Sequence, residues 1–422
     1  MPGTEKTTHI VGAGLAGLSA AVELSGVGRR VVLYEAGPQA GGRCRSYFDE
    51  KLDCRIDNGN HLLMSGNESA LTYLSQIQAA DSLEGPTEAS FPFLDLRDGT
   101  RWTVRPNRGP IPWWIFSSDR RVPGTAWYDY LSGLCFAWAG KRATVGSLVG
   151  KSRLFKRFWE PLAVAALNTE TSTGAAHLLW PVLRETFARG ASWARPLVAR
   201  EGLSESFIDP ATKLLAKRGC VIHYGARVRQ IDLRGNHADR IGIPGHHISL
   251  AKGDNLIVAT PPNVTAGLLP KLTVPTEFRP IVNAHFRLPP SLIPTGQGPV
   301  RIVGLIGGLA EWVFLRGDLA SVTISSATQA VEEEAEDLAP RIWKEVARAL
   351  NLDEAPMPVW RIVKEKRATF AQTLDQVARR PDAATPWDNI LLAGDWTNTG
   401  LPATIEGAIR SGVIAARMLL NR

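Results

Sequence analysis

Cysteine is scarce in this chain of 422 residues: Cys44, Cys54, Cys135 and Cys220 are all there are, with no CxxC pair among them. That spacing offers neither a disulfide framework nor a thiolate metal site, and the eight histidines add no metal-ligand pattern. Long hydrophobic runs are missing too. A bilayer-spanning helix needs ~20 apolar residues, and the longest candidates, such as 131–140, reach about half of that. The opening stretch Met1–Lys6 lacks the basic start and apolar core of a signal peptide. A reducing cytoplasm is therefore the expected compartment. There is no internal repeat and no low-complexity tract, which excludes solenoid and fibrous classes. A hydrophobic content of 44% and a charged content of 21% are ordinary for a globular chain long enough to form two domains.

Glycine, by contrast, is placed with purpose. His9-Ile10-Val11-Gly12-Ala13-Gly14-Leu15-Ala16-Gly17 is an apolar run feeding three glycines, followed by helical spacing over about 15–25. In a dinucleotide-binding turn the first glycine permits the bend, the second lets a pyrophosphate approach the backbone, and the third allows close helix packing. The first helical N–H groups, at Leu15 and Ala16, then face the pyrophosphate, with the helix dipole favouring its charge. The next strand, Arg30–Tyr34, ends at Glu35, 21 residues beyond Gly14. This is where an acid, with Ala36 beside it, accepts hydrogen bonds from an unphosphorylated adenosine ribose.

Similar elements recur twice. Around 203–265 a helical pattern at Leu203–Lys217 precedes predicted strands at Val221–Tyr224, Arg227–Ile231 and Leu256–Pro262. At the C-terminus an apolar strand, Asn389–Asp395, leads to a helical pattern over Thr404–Leu420. The expected fold is α/β. Segments 1–65, 203–265 and 386–422 would form a discontinuous Rossmann-type dinucleotide domain, and 66–202 and 266–385 an inserted α+β substrate domain.

The net charge of +7 is concentrated in residues 101–159, where eleven cations, Lys151 among them, face only Asp119 and Asp129. The same window holds six of the thirteen tryptophans: Trp102, Trp113, Trp114, Trp127, Trp138 and Trp159. Tryptophan mixed with Lys and Arg suits an anionic membrane surface. Nucleic acid attracts a similar mixture but is not the expected partner. The open alternative is that these tryptophans are core beneath a solvated cationic face.

With these pieces in place the chain resembles the flavin-dependent amine oxidase and carotenoid desaturase superfamily, which implies noncovalent FAD. Gly41-Gly42-Arg43 matches the family's GGR element, where Gly42 and Arg43 would contact the FAD phosphates. Asp57-Asn58-Gly59-Asn60-His61-Leu62 resembles the segment that runs along the flavin, so Gly59, Asn60, His61 and Leu62 are cofactor contacts on this reading. Val228 resembles the residue whose backbone meets the adenine edge. In the C-terminal block Gly394 and Asp395 would hold the ribityl chain. A helix starting at Thr404 and Ile405 would aim its N–H groups at the flavin's pyrimidine oxygen. No cysteine follows Cys220, which excludes the covalent cysteinyl flavin of some amine oxidases, and no tyrosine follows Tyr224, which argues against their tyrosine cage.

Within the superfamily, Asp57-Asn58-Gly59-Asn60-His61 followed by Leu62-Leu63-Met64, and the stretch from Gly394 to Gly412, resemble the hydroxysqualene dehydroxylases. That resemblance implies reduced FAD giving hydride to hydroxysqualene as its hydroxyl leaves as water, forming squalene. A phytoene-type desaturase or an amine oxidase is the alternative. Hydroxide leaves poorly, so a general acid is required. His61 is the first candidate, with a role as a plain flavin contact the competing one. Asp57 is the second, although an Asp ahead of a turn glycine often bonds local backbone. A triterpene must be loaded from a bilayer or handed over by the enzyme that makes it. The 101–159 window is accordingly expected to hold the protein peripherally on the inner membrane.

Overall fold

The computed structural model describes residues 6–150, 152–294 and 300–421. The opening Met1–Glu5 and Lys151 of the basic window lie outside the described residues.

Three distant chain segments build one parallel sheet of five strands, ordered Val221–His223, Arg30–Tyr34, Thr7–Val11, Asn255–Val258 and Ile390–Leu392. Val11 lies opposite both Tyr34 and Val258, and Val258 opposite Leu392, so the strand ends carrying the glycine turn and the Gly394-Asp395 turn emerge at one edge. Parallel strands covered on both faces read as continuous apolar runs, which is why these were legible. Helices Leu15–Gly26 and Ile405–Leu420 pack against each other on the sheet, with Ile10, Leu18, Leu33, Ile257, Leu391 and Ile409 in their shared core. Their approach is close: a Cβ on Gly412 would lie 2.1 Å from the Ala16 carbonyl oxygen, and Ser19 Oγ donates to the Ile409 carbonyl at 3.0 Å.

The expected α/β architecture is thus the one observed, with local corrections. The helix predicted over Leu203–Lys217 opens with a π-helical turn, Ser204–Ile208, before the α-helix Asp209–Lys217. The strand predicted at Arg227–Ile231 begins only at Gln230. The preceding residues are pinned by other partners, Ala226 N–H to the Glu35 carbonyl and Arg229 N–H to the Gly242 carbonyl.

The second layer is a seven-stranded, largely antiparallel sheet ordered Val359–Phe370, Phe278–Arg287, Leu319–Ile324, Trp312–Arg316, Val300–Ile306, Phe91–Asp95 and Arg101–Val104. One face packs Val282, Phe286 and Val322 against Leu338, Ile342 and Trp343 of helix Ala335–Leu350. The other carries Phe93, Trp312 and Phe314 toward an aromatic helical region with Trp114, Phe158 and Trp159. A polar row crosses this second face, Asn283 opposite Thr323 opposite Trp312.

Candidate active site

Two glycine turns make the cradle. Gly12 sits at φ +103°, where a Cβ would lie 2.6 Å from the Ala259 carbonyl oxygen, and a Cβ on Gly17 would lie 2.0 Å from the Gly12 oxygen. Both positions therefore exclude a side chain for reasons internal to the fold. Gly14 differs, since a Cβ there would meet nothing within 4 Å. Gly41 N–H donates to the Ala13 carbonyl at 2.8 Å and Gly14 bridges Gly41, so the GGR turn is stitched alongside the first. The helix starting at Leu15 has no side-chain cap and no acid in its first turn, which leaves the Leu15 and Ala16 N–H groups for an anion. The residues present therefore fit a pyrophosphate. Glu35 is fixed at the mouth of this groove: one carboxylate oxygen accepts Ala13 N–H and the other Gly37 N–H, both at 2.8 Å, while Ala36 is exposed. Each oxygen keeps a lone pair for a ribose hydroxyl. Val228 is buried between the two backbone anchors just described.

At the other end Arg43 forms an ion pair with Asp395 at 2.8 Å and also donates to the Ala368 carbonyl, bringing two predicted residues from opposite ends of the chain together. Thr404 is the N-cap of helix Ile405–Leu420, its hydroxyl accepting Gly407 N–H at 3.1 Å. Two residues that support this end had no local signal in the sequence. Arg380 lies buried under the block, donating to the Thr397 and Asp395 carbonyls, and burial pulls its guanidinium down to about 10. Gln372, fully buried, accepts Ala403 N–H at 3.0 Å and donates to the Leu167 carbonyl at 2.6 Å, which fixes the chain leading into the Thr404 cap. Both choices follow from burial: unpaired backbone groups cost free energy, and a long polar side chain supplies the partner.

Glu406, in the first turn of this helix, is a cross-brace. Its carboxylate accepts Ser69 and Ala70 N–H, capping helix Glu68–Gln76, and pairs with Arg410 at 2.8 Å. Glu406→Ala leaves those donors and Arg410 without it, and a loss of about 3 kcal/mol is expected in urea unfolding of the full chain.

The Asp57–Leu62 segment arches over the polar row of the large sheet. Asn60 Nδ2 donates to the Val322 carbonyl at 3.0 Å and to Thr323 Oγ1 at 3.3 Å, so its amide anchors the segment to the sheet. Asp57 accepts from Ser46 Oγ at 2.6 Å and Leu203 N–H at 2.9 Å and pairs with Arg316 at 3.3 Å. This carboxylate ties the segment to the Ser46 strand, to Leu203 and to Arg316. His61 has no hydrogen-bond partner among the described residues and keeps accessible surface, yet burial pushes its imidazole down to about 4. Burial thus favours its neutral form near pH 7. Leu62 packs at the margin of the aromatic core.

A parallel dinucleotide sheet joined to a large antiparallel sheet, with the glycine cradle, Arg43, Asp395 and the Thr404 cap converging between them, is the layout of a flavoprotein oxidoreductase. The family described as flavin containing amine oxidoreductase matches residues 15–420, and the chain belongs to it. It is 44% identical over 415 residues to the hydroxysqualene dehydroxylase of Zymomonas mobilis subsp. mobilis, covering 98% of this chain and 99% of that one. Likeness to the 15-cis-phytoene desaturase of an Oncidium hybrid cultivar is far lower, 22% over 458 residues, covering 98% of this chain and 77% of the relative. A solved structure of putrescine oxidase bound to putrescine superposes with a TM-score of 0.71 at 16% identity, covering 99% of each chain, which shows the shared fold.

Proposed function

We propose that this protein is an FAD-dependent oxidoreductase that removes the hydroxyl of hydroxysqualene reductively to give squalene. The observation that carries the reading is the 44% identity to a hydroxysqualene dehydroxylase along nearly the whole of both chains, set against 22% for a desaturase. FAD, when bound and reduced, supplies the hydride. The chain's residues do the rest. Gly12, Gly14, Leu15, Ala16 and Gly17 cradle the pyrophosphate with Gly42 and Arg43. Glu35 and Ala36 face the ribose, and the backbone of Val228 faces the adenine. Gly394 and Asp395 hold the ribityl chain, Thr404 and Ile405 present helix N–H groups to the pyrimidine end, and Gly59–Leu62 line the ring. His61, neutral, serves as a flavin or substrate contact.

Delivery of a water-insoluble triterpene gives the basic window its role. Among the described residues no helix is long and apolar enough to cross a membrane. Trp102, Trp114 and Trp159 are buried, whereas Trp113, Trp127 and Trp138 are exposed, so the two readings of the tryptophans divide evenly. The exposed rings form a chain, Trp113 to Phe116 at 6.0 Å, Phe116 to Trp127 at 5.5 Å and Trp127 to Tyr128 at 5.8 Å. Arg105, Arg108, Lys141, Arg142, Arg153 and Lys156 are exposed in the same window. This combination supports peripheral docking on anionic membrane, with loading from the bilayer or from the hydroxysqualene-forming enzyme.

The test is direct. FAD-loaded protein, reduced anaerobically and mixed with hydroxysqualene, is expected to form squalene and reoxidise its flavin in step. Turnover of phytoene by the oxidised form, with hydroxysqualene untouched, would replace this reading with the desaturase one.

A further inference from the structure

A hairpin turn and a helical segment set four cations around one hollow. Arg97 lies in the turn between strands Phe91–Asp95 and Arg101–Val104, closed by Gly99 N–H on the Asp95 carbonyl at 2.8 Å. Arg153, Lys156 and Arg157 come from the helical stretch that contains the π-helical turn Phe155–Trp159. That stretch is two-sided: Leu154, Phe155, Phe158 and Trp159 are buried in the aromatic core, and the cations between them lie on the other side. Together Arg97, Arg153, Lys156 and Arg157 line a cavity of about 270 Å³, ample for a phosphate group.

Two of the four are held in place. Asp95, buried at the strand end, accepts Arg97 Nε at 2.8 Å and Nη2 at 2.7 Å, and also Arg157 Nε at 3.1 Å. Asp98 accepts Arg157 Nη2 at 2.6 Å, and the same guanidinium, only 11% exposed, lies over the Trp102 ring at 5.2 Å. A guanidinium carries five N–H donors, so both arginines keep some for a further acceptor. The other two, Arg153 and Lys156, are exposed and have no side-chain partner among the described residues. Glu160 acts on Arg97 from nearby, but it accepts from Thr171 at 3.5 Å and does not line the cavity. Arg153 lies three and four residues from Lys156 and Arg157, a helical spacing at which like charges repel. Four cations thus meet two carboxylates, and the surplus charge is left on the cavity wall. Guanidinium forks and an ammonium point charge are the groups that phosphate oxygens favour.

The surroundings select the carrier of that phosphate. The Arg153 guanidinium packs on Gly124, where a Cβ would lie 2.0 Å from its Nη1. Three residues further on begins the helical stretch Trp127–Trp138, with Trp127, Tyr128, Leu131, Leu134 and Trp138 exposed. Aromatic rings settle at the headgroup level of a bilayer, the depth at which lipid phosphates lie. A site for free phosphate has no use for such neighbours.

We infer that this cavity binds the phosphate of one anionic lipid headgroup, with Arg97 and Arg157 as its fixed wall and Arg153 and Lys156 closing on the oxygens. The inference rests on the membrane docking proposed above and gives that surface a defined lipid site. Diffuse attraction depends on the number of cations near the bilayer; a built cavity depends on which cations they are.

The experiment uses full-length FAD-loaded protein as wild type, as Arg153→Gln/Lys156→Gln, and as Lys141→Gln/Arg142→Gln, which removes the same charge from the same window outside the cavity. Thermal melting of both double variants should match wild type within a degree or two, since exposed side chains are being replaced. Titration calorimetry with dihexanoyl phosphatidylglycerol, below its micelle concentration, should show saturable one-to-one binding by wild type and by the Lys141/Arg142 variant. Loss of two charge-assisted contacts should weaken it at least ~10-fold in the Arg153/Lys156 variant, and Arg153→Lys/Lys156→Arg should regain most of the affinity. Vesicles carry the second readout. Wild type should prefer phosphatidylglycerol-containing vesicles to pure phosphatidylcholine by ~30-fold, a preference that falls to a few-fold in the Arg153/Lys156 variant and is largely kept in the other. Equal losses in the two double variants overturn the lipid site alone, because charge and not the cavity then decides. Inorganic phosphate bound as tightly as the soluble lipid, with vesicle preference unchanged in the Arg153/Lys156 variant, makes this a free-phosphate site and overturns the lipid assignment. A wild type that binds neither kind of vesicle nor the soluble lipid overturns the docking reading and the lipid site together.

Discussion

Gly14→Ala is expected to keep its fold and lose its cofactor. The backbone at Gly14, φ −76° and ψ 179°, is open to any residue, and a Cβ there meets nothing within 4 Å. Two small terms act on the empty protein. Alanine is a poorer N-cap than glycine by a few tenths of a kcal/mol or more, and it restricts the unfolded chain in return by ~0.4–1 kcal/mol. They nearly cancel, so the flavin-free variant should melt within a degree or two of wild type. The empty space is where the pyrophosphate must approach the backbone, and a methyl group placed in it should weaken FAD at least ~100-fold, about 2.7 kcal/mol. Titration of flavin-free protein followed by flavin fluorescence reads the affinity, and the stabilisation that saturating FAD gives wild type should shrink by the same amount. Gly17→Ala is the contrasting control. Its Cβ would lie 2.0 Å from the Gly12 oxygen, so that variant should fail as a fold and not only as a binder. A Gly14→Ala protein that takes up FAD like wild type would dislodge the pyrophosphate from this turn.

The contrast between these glycines also marks what could be read in advance. Strand Arg30–Tyr34 and the helix after the glycine turn lie in the structure where periodicity placed them, because a buried parallel strand and its crossover helix are decided by neighbouring residues. The helix start at Thr404 was legible for the same reason: the cap that fixes it is a contact across three residues. The rest depends on partners hundreds of positions away. Glu406 braces Ser69 and Ala70, Asp57 holds Leu203 and Arg316, and Gln372 ties Leu167 to Ala403. No local pattern distinguishes such a side chain from a solvated one. The large sheet was hidden likewise, since Val300–Ile306 pairs in parallel with Phe91–Asp95 across two hundred residues.

Replacing Trp113, Phe116 and Trp138 by Ser together should abolish vesicle binding at physiological salt while leaving the fold intact. These side chains are 61%, 53% and 79% exposed, so the folded protein loses little packing with them. Two forces can hold such a surface on a bilayer, and their sizes differ with conditions. The exposed cations of the window, at ~1 kcal/mol each, dominate at low ionic strength, but at physiological salt the screening length is ~8 Å and their share falls steeply. Burial of an aromatic ring is worth ~1.5–3 kcal/mol and is indifferent to salt. The triple variant should therefore lose at least ~4 kcal/mol, roughly 1,000-fold in affinity, with the residual binding now vanishing as salt is raised. Wild type should weaken with salt and persist. Activity separates docking from chemistry: with substrate dispersed in detergent the variant should turn over like wild type, and with substrate confined to vesicles it should be nearly inactive. Undiminished vesicle binding by the variant, on neutral and anionic lipid alike, would remove the aromatic ridge from the docking surface and return these rings to the status of ordinary exposed residues.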